Sequence, residues 1–147
     1  MEPLVNQMKT CLATVFSMYL KSHNFHWNVT GPDFAQYHDF FSNLYETLHG
    51  SVDSFAEHIR SLDAFAPGSY SRFAELTKIS DATTVPSGLV MIERLAQDNE
   101  IVLEELMKAH DLATENKKFG LLNFIEDRMD YHSKLHWMLN AFKPATA

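Results

Sequence analysis

Between Asp33 and Pro67 the chain runs without a proline, and apolar side chains recur at steps of three and four: Phe34, Tyr37, Phe41, Leu44, Leu48, Val52, Phe55, Ile59 and Leu62. That spacing is the period of one long helix with a buried stripe. Beside it runs a second stripe at His38, Ser42, Glu46, His49, Asp53, Glu57 and Arg60. Most of these side chains can bind a cation, and they share a face for the same geometric reason.

Asp53 and Glu57 are one turn apart, so their carboxylates can hold a metal between them. His38 lies fifteen residues earlier on the same helix, roughly 22 Å away at about 1.5 Å per residue. One straight helix therefore cannot close a site from all three. If two copies of the helix pack antiparallel about a two-fold axis near residues 46 to 48, His38 of one copy falls opposite Asp53 and Glu57 of the other. A two-fold contact is isologous, so such a site is made twice per dimer. His26 joins from the same subunit as His38, because the preceding helix ends near it and the chain reverses at Gly31-Pro32. Two imidazoles, two carboxylates and room for water suit Fe(II), Mn(II) or Zn(II).

The run His26-Trp27-Asn28-Val29, Gly31, Phe34 and His38, followed by Asp53-x-x-Ala56-Glu57, resembles the signature of the Dps family, the bacterial mini-ferritins. The ending Trp137-Met138-Leu139-x-Ala141 is similar to the last helix of that family. The resemblance covers nearly the whole chain. It implies a dodecameric shell that oxidises Fe(II), typically with hydrogen peroxide, and stores ferric iron inside. It also implies a ferroxidase ligand set of His26 and His38 from one subunit with Asp53 and Glu57 from its two-fold mate. Zn(II) or Mn(II) at the same residues, and dioxygen as the oxidant, stay open.

Where the family pattern often has an acid, four residues after the second histidine, this chain has Ser42, which carries no charge and is expected to weaken the second iron position. The family's Asp-x-Thr-x-Asp before the last helix is replaced by Glu115-Asn116-Lys117-Lys118-Phe119-Gly120, which removes the usual pore acids. The Arg that often follows the site glutamate is His58, with a consequence for the charge around the ligands.

At 147 residues the chain is expected to be a single ferritin-like domain, 1–147, long enough to bury about two thirds of its unfolded surface. With 12 Lys and Arg against 19 Asp and Glu the formal net charge is -7. That balance argues against a dedicated nucleic-acid binder, because phosphates repel an acidic surface. DNA-condensing members of the family often carry a Lys/Arg-rich tail. Here two residues precede Pro3 and the end, Lys143 to Ala147, offers one lysine, so DNA binding is not expected; a DNA-coating shell and a Zn-holding structural oligomer are the rival readings. Cys11 is the only cysteine, which points to a reducing compartment, and the apolar run Leu12 to Leu20 is too short to span a bilayer. A cytoplasmic protein without membrane contact is expected.

Taken in order, the pattern predicts an all-α, ferritin-like four-helix bundle. The helices are expected over about 4 to 28, 33 to 64, 86 to 113 and 116 to 142. A long crossover over 65 to 85 carries a short helix around Ser71 to Thr77. The inner stripes are Leu4, Met8, Leu12, Val15, Tyr19 and Ser22; then Leu89, Ile92, Leu95, Asn99, Val102, Leu106 and Ala109; then Phe119, Leu122, Ile125, Met129, His132, Leu135 and Leu139. Glu46-x-x-His49 occurs once, and a di-iron centre inside one bundle takes two such motifs, so these residues are expected at the two-fold contact instead. His132 and His136 lack a following Glu and a third ligand, which favours structural roles over zinc. Glu126, Asp127 and Asp130 are expected on a solvated face or at a pore. Trp27 is expected either in the core or beside the metal ligands.

Overall fold

The computed structural model describes residues 1–144; Ala145, Thr146 and Ala147, the end of the tail considered above, lie outside them. Five helices follow one another: α1 Glu2–Asn28, α2 Phe34–Ser61, α3 Tyr70–Leu76, α4 Gly88–Glu115 and α5 Phe119–Asn140. The four long ones form an all-α ferritin-like bundle in which α1 packs on α2 and α4, and α4 packs on α5. Phe55 meets Phe124 edge-on at 4.9 Å, closing α2 against α5. Gln7 bonds to Glu105 while Lys21 pairs with Asp98, so α1 and α4 run antiparallel. The long crossover returns the chain to the end from which α2 departed, where Gly88 meets Tyr37.

The turn that sets the site is Val29 to Asp33. Val29 turns extended after α1 (φ −62°, ψ 139°), and Gly31 takes φ 113°, a region that side-chain-bearing residues rarely enter. Pro32 then excludes α geometry from the residue before it, so the reversal is written into Gly31-Pro32. Phe34 N–H donates back to the Gly31 carbonyl at 3.1 Å and α2 begins.

α2 stops at Ser61, three residues earlier than its apolar pattern predicts. Asp63 adopts φ 61°, its N–H donating to Arg60 O (3.0 Å) and that of Ala64 to Ile59 O (3.4 Å). This is a Schellman turn with an aspartate in the left-handed position. Lys117 (φ 54°) does the same after α4: Lys117 N–H reaches Thr114 O (3.1 Å) and Lys118 N–H reaches Ala113 O (3.0 Å). α4 therefore runs two residues beyond expectation, and α5 starts later than expected, at Phe119. Ser69 and Ser87 cap α3 and α4, accepting from Arg72 N and Val90 N. Pro86 consequently lies outside α4, before its cap.

The core is built from the predicted stripes. Leu4, Met8, Leu12, Val15, Phe41, Leu48, Phe55, Ile59, Ile92, Leu95, Val102, Leu106, Ile125, Leu135 and Leu139 are buried. Three stripe ends are not: Phe34, Leu89 and Phe119 are exposed, each in the first turn of its helix. Gly88 is required by contact, since a Cβ there would lie 2.6 Å from the Tyr37 ring. Two buried polar pairs cross the bundle. Lys21 meets Asp98 at 2.8 Å. Asn99 donates to the His132 carbonyl at 2.8 Å and accepts from His132 Nδ1 at 2.6 Å. No described helix is long and apolar enough to cross a membrane.

Candidate metal centre

His26 sits in the last turn of α1 and His38 near the start of α2, and the Gly31-Pro32 reversal brings them face to face. Their rings stack at 3.8 Å with 16° between planes. Nδ1 of His26 lies 2.8 Å from the His38 carbonyl oxygen, and Nδ1 of His38 lies 2.8 Å from the His26 carbonyl oxygen. A carbonyl cannot donate, so both Nδ1 atoms carry the proton and both Nε2 lone pairs remain for a cation. The same bonds fix the ring orientations and occupy one of the carbonyls left open at the end of α1. Phe34 covers the outer face of His38, ring to ring at 4.8 Å.

Asp53 and Glu57 lie about two turns and about one turn before the C-terminal end of α2, both exposed. Asp53, through hydrogen bonding first and like charge second, pushes the Glu57 carboxyl above its ordinary pKa. Two carboxylates in this relation gain from a shared cation. The histidine pair and the carboxylate pair occupy opposite ends of one straight helix. Among the described residues no group of three or more His, Cys, Asp and Glu comes together within the chain. The chain thus holds the histidine pair and the carboxylate pair apart from each other.

The other polar candidates divide cleanly. His132 is fully buried and burial brings its pKa down to about 3, so it is a neutral core residue; His136 is exposed and near Asn140. His58 packs on Phe124 at 4.5 Å and desolvation lowers its pKa, so the position that differs from the family arginine contributes a neutral ring. Glu126, Asp127 and Asp130 are exposed. Glu46 is exposed, and His49 lies with its ring 4.9 Å from that of Tyr19. Cys11 is buried, with its thiol pushed up to about 12, which makes it an unreactive core residue.

Sequence reasoning missed a neighbour of the pair. His23 is one turn before Trp27 on α1, its ring 4.0 Å from that of Trp27 and 3.8 Å from that of Tyr45. Burial, then the nearby His26 and His49, lower its pKa. The spacing Tyr19, His23, Trp27, with four residues at each step, was the available signal. Trp27 itself is 58% exposed.

The ferritin-like domain family model matches residues 5–143. The chain is 34% identical over 128 residues to a DNA protection during starvation protein of Brevibacillus brevis, covering 85% of this chain and 84% of the relative. The crystal structure of the DPS protein from Vibrio cholerae O1, described as a member of a broad superfamily of ferritin-like diiron-carboxylate proteins, superposes with a TM-score of 0.92 at 28% identity, covering 96% of this chain and 89% of that one. Dps from Staphylococcus aureus gives 0.94 at 25% identity over 99% and 98% of the two chains.

Proposed function

The chain belongs to the Dps family of ferritin-like proteins, the mini-ferritin kind, and on that premise we propose that it is a ferroxidase that oxidises Fe(II) with hydrogen peroxide and stores the ferric product inside a twelve-subunit shell. The whole chain, 1–147, acts as one ferritin-like unit in this reading, and its compartment is the cytoplasm. His26 and His38 of one subunit and Asp53 and Glu57 of the partner subunit hold the iron.

The observation that carries the reading is the reciprocal lock between His26 and His38, which leaves both Nε2 atoms free while the carboxylate pair stands too far along α2 to complete the site in the same subunit. A partner has apolar surface to meet: Leu20, Phe65 and Tyr70 are exposed near α1 and the crossover. Two neutral imidazoles bind Fe(II), and two hard anionic carboxylates favour Fe(III), so the donor set pulls the reaction forward. Two irons side by side supply both electrons that hydrogen peroxide needs, which avoids the one-electron route to hydroxyl radical. Ser42 offers no charge where a second carboxylate would strengthen one of the two positions, so the second iron binds more weakly than the first. Zn(II) competes for the same donors and, having no redox chemistry, inhibits.

The test is Fe(II) oxidation by hydrogen peroxide in the assembled protein and in Asp53→Ala. The variant is expected to assemble normally and lose rapid oxidation. Unchanged initial rates in Asp53→Ala would remove the carboxylate pair from the reaction.

A further inference from the structure

Tyr19, His23 and Tyr45 border the His26–His38 pair without belonging to the ligand set. The Tyr19 phenol oxygen lies 3.0 Å from Nδ1 of His23, one turn along α1. The His23 ring is clamped between Tyr45, parallel to within 6° at 3.8 Å, and Trp27 at 4.0 Å. From the His26 ring the centroid distances are 5.1 Å to Tyr45 and 6.1 Å to His23, and from His23 to Tyr19 5.6 Å. A chain of ring contacts thus leads from one candidate iron ligand to a phenol seated on a nitrogen base.

That pairing matters because a phenol releases an electron readily only when its proton leaves at the same time. In the tautomer with the proton on Nε2, His23 accepts the Tyr19 hydroxyl at Nδ1. Trp27, another oxidisable ring against His23, is more than half exposed to water. Tyr19 is partly buried and edged by Phe16 at 5.5 Å, so a radical formed on it is shielded on that side.

We propose that Tyr19, with His23 as proton acceptor and the His23–Tyr45 stack as the path, gives hydrogen peroxide its second electron when a single Fe(II) occupies the centre. The inference rests on the ferroxidase reading above, and the uncharged Ser42 makes single occupancy a common case. One Fe(II) loses one electron and becomes Fe(III). Tyr19 loses the other and becomes a neutral tyrosyl radical, its proton passing to Nδ1 of His23. The peroxide O–O bond takes both electrons and breaks to give two hydroxide ions, so no hydroxyl radical forms. A later Fe(II) returns an electron to Tyr19, the proton comes back from His23, and the phenol is restored.

The experiment uses the assembled full-length protein, loaded anaerobically with one Fe(II) per centre, mixed with one equivalent of hydrogen peroxide and freeze-quenched for electron paramagnetic resonance. Ferric iron and spin-trapped hydroxyl radical are measured in parallel. Wild type is expected to show a tyrosyl signal that Tyr19→Phe loses and that Tyr45→Phe and Trp27→Phe keep. Tyr19→Phe keeps its ring against Phe16, and it is expected to oxidise Fe(II) still while releasing trapped hydroxyl radical. His23→Leu, which removes the proton acceptor together with its ring in the stack, is expected to lose the signal as well. A signal of full size in Tyr19→Phe, or none in wild type while Fe(II) is oxidised, overturns the proposal and leaves the ferroxidase reading standing. Failure of wild type to oxidise Fe(II) at all overturns both, so the two failures are told apart by the ferric assay.

Discussion

His26 and His38 do two jobs with one pair of rings: each Nδ1–H holds the other residue's backbone, and each Nε2 keeps its lone pair for a cation. His38→Ala is therefore expected to lose Fe(II) oxidation and also to lower the stability of the fold by about 1 kcal/mol through the one side-chain hydrogen bond it removes. Asp53→Ala differs, because Asp53 is exposed and raises the pKa of Glu57 next to it; oxidation is lost while the thermal midpoint stays level or rises. Paired kinetics and thermal unfolding of the two variants check this contrast. His132 gives a separate, pH-dependent test. Its pKa falls from an ordinary 6.5 to about 3 in the fold, so below pH 6.5 the unfolded chain binds a proton that the folded chain refuses. Stability is present in full above that pH and declines as pH falls towards 3, at up to about 1.4 kcal/mol per unit. Denaturant midpoints between pH 7 and 5 are expected to fall in wild type and to fall less steeply in His132→Asn. The candidate ligands were picked out from the primary structure by histidines and acids on one helical face, and the fold brings His26 and His38 together. The tautomers were not, since they depend on carbonyls that only the Gly31-Pro32 turn brings within reach.

At the scale of the helix, period and stop signals carry different amounts of information. The apolar stripe of α2 was legible because three- and four-residue steps persist from Phe41 to Ile59, with Phe41, Leu44, Leu48, Phe55 and Ile59 buried and Val52 half-buried. The ends of α2 and α4 were not, because the left-handed position of each Schellman turn holds Asp63 or Lys117 in place of the glycine that marks such a stop. These side chains sit in a conformation that costs roughly 1 kcal/mol. Lys117→Gly is accordingly expected to raise the unfolding free energy by about 0.5–1 kcal/mol without touching oxidation, measured by denaturant titration. Gly88 is the opposite case. Its contact with Tyr37 leaves no space for a methyl group, and Gly88→Ala is expected to destabilise the fold by about 1–3 kcal/mol as the ring is displaced from Phe41 and Phe142.

The whole molecule is where a single chain stops explaining itself. A straight helix holds its histidine-side and carboxylate-side donors at opposite ends, so the ligand set closes only if a second copy supplies the missing half. The net charge of -7 further predicts that the assembled protein gives no gel shift of duplex DNA at physiological salt unless divalent cations bridge the two. The two-fold sharing of sites is the central claim, and subunit mixing tests it most directly. His38→Ala and Asp53→Ala are each expected to assemble into inactive particles. In a dimer of one subunit of each kind, one site carries both defects and the other carries neither. Random co-assembly of equal amounts is therefore expected to restore about one quarter of the wild-type initial rate of peroxide-dependent Fe(II) oxidation, because half the dimers are mixed and each regains one of its two sites. Mixed particles that stay as inactive as the two parents would contradict the account and return the ligands to a single subunit.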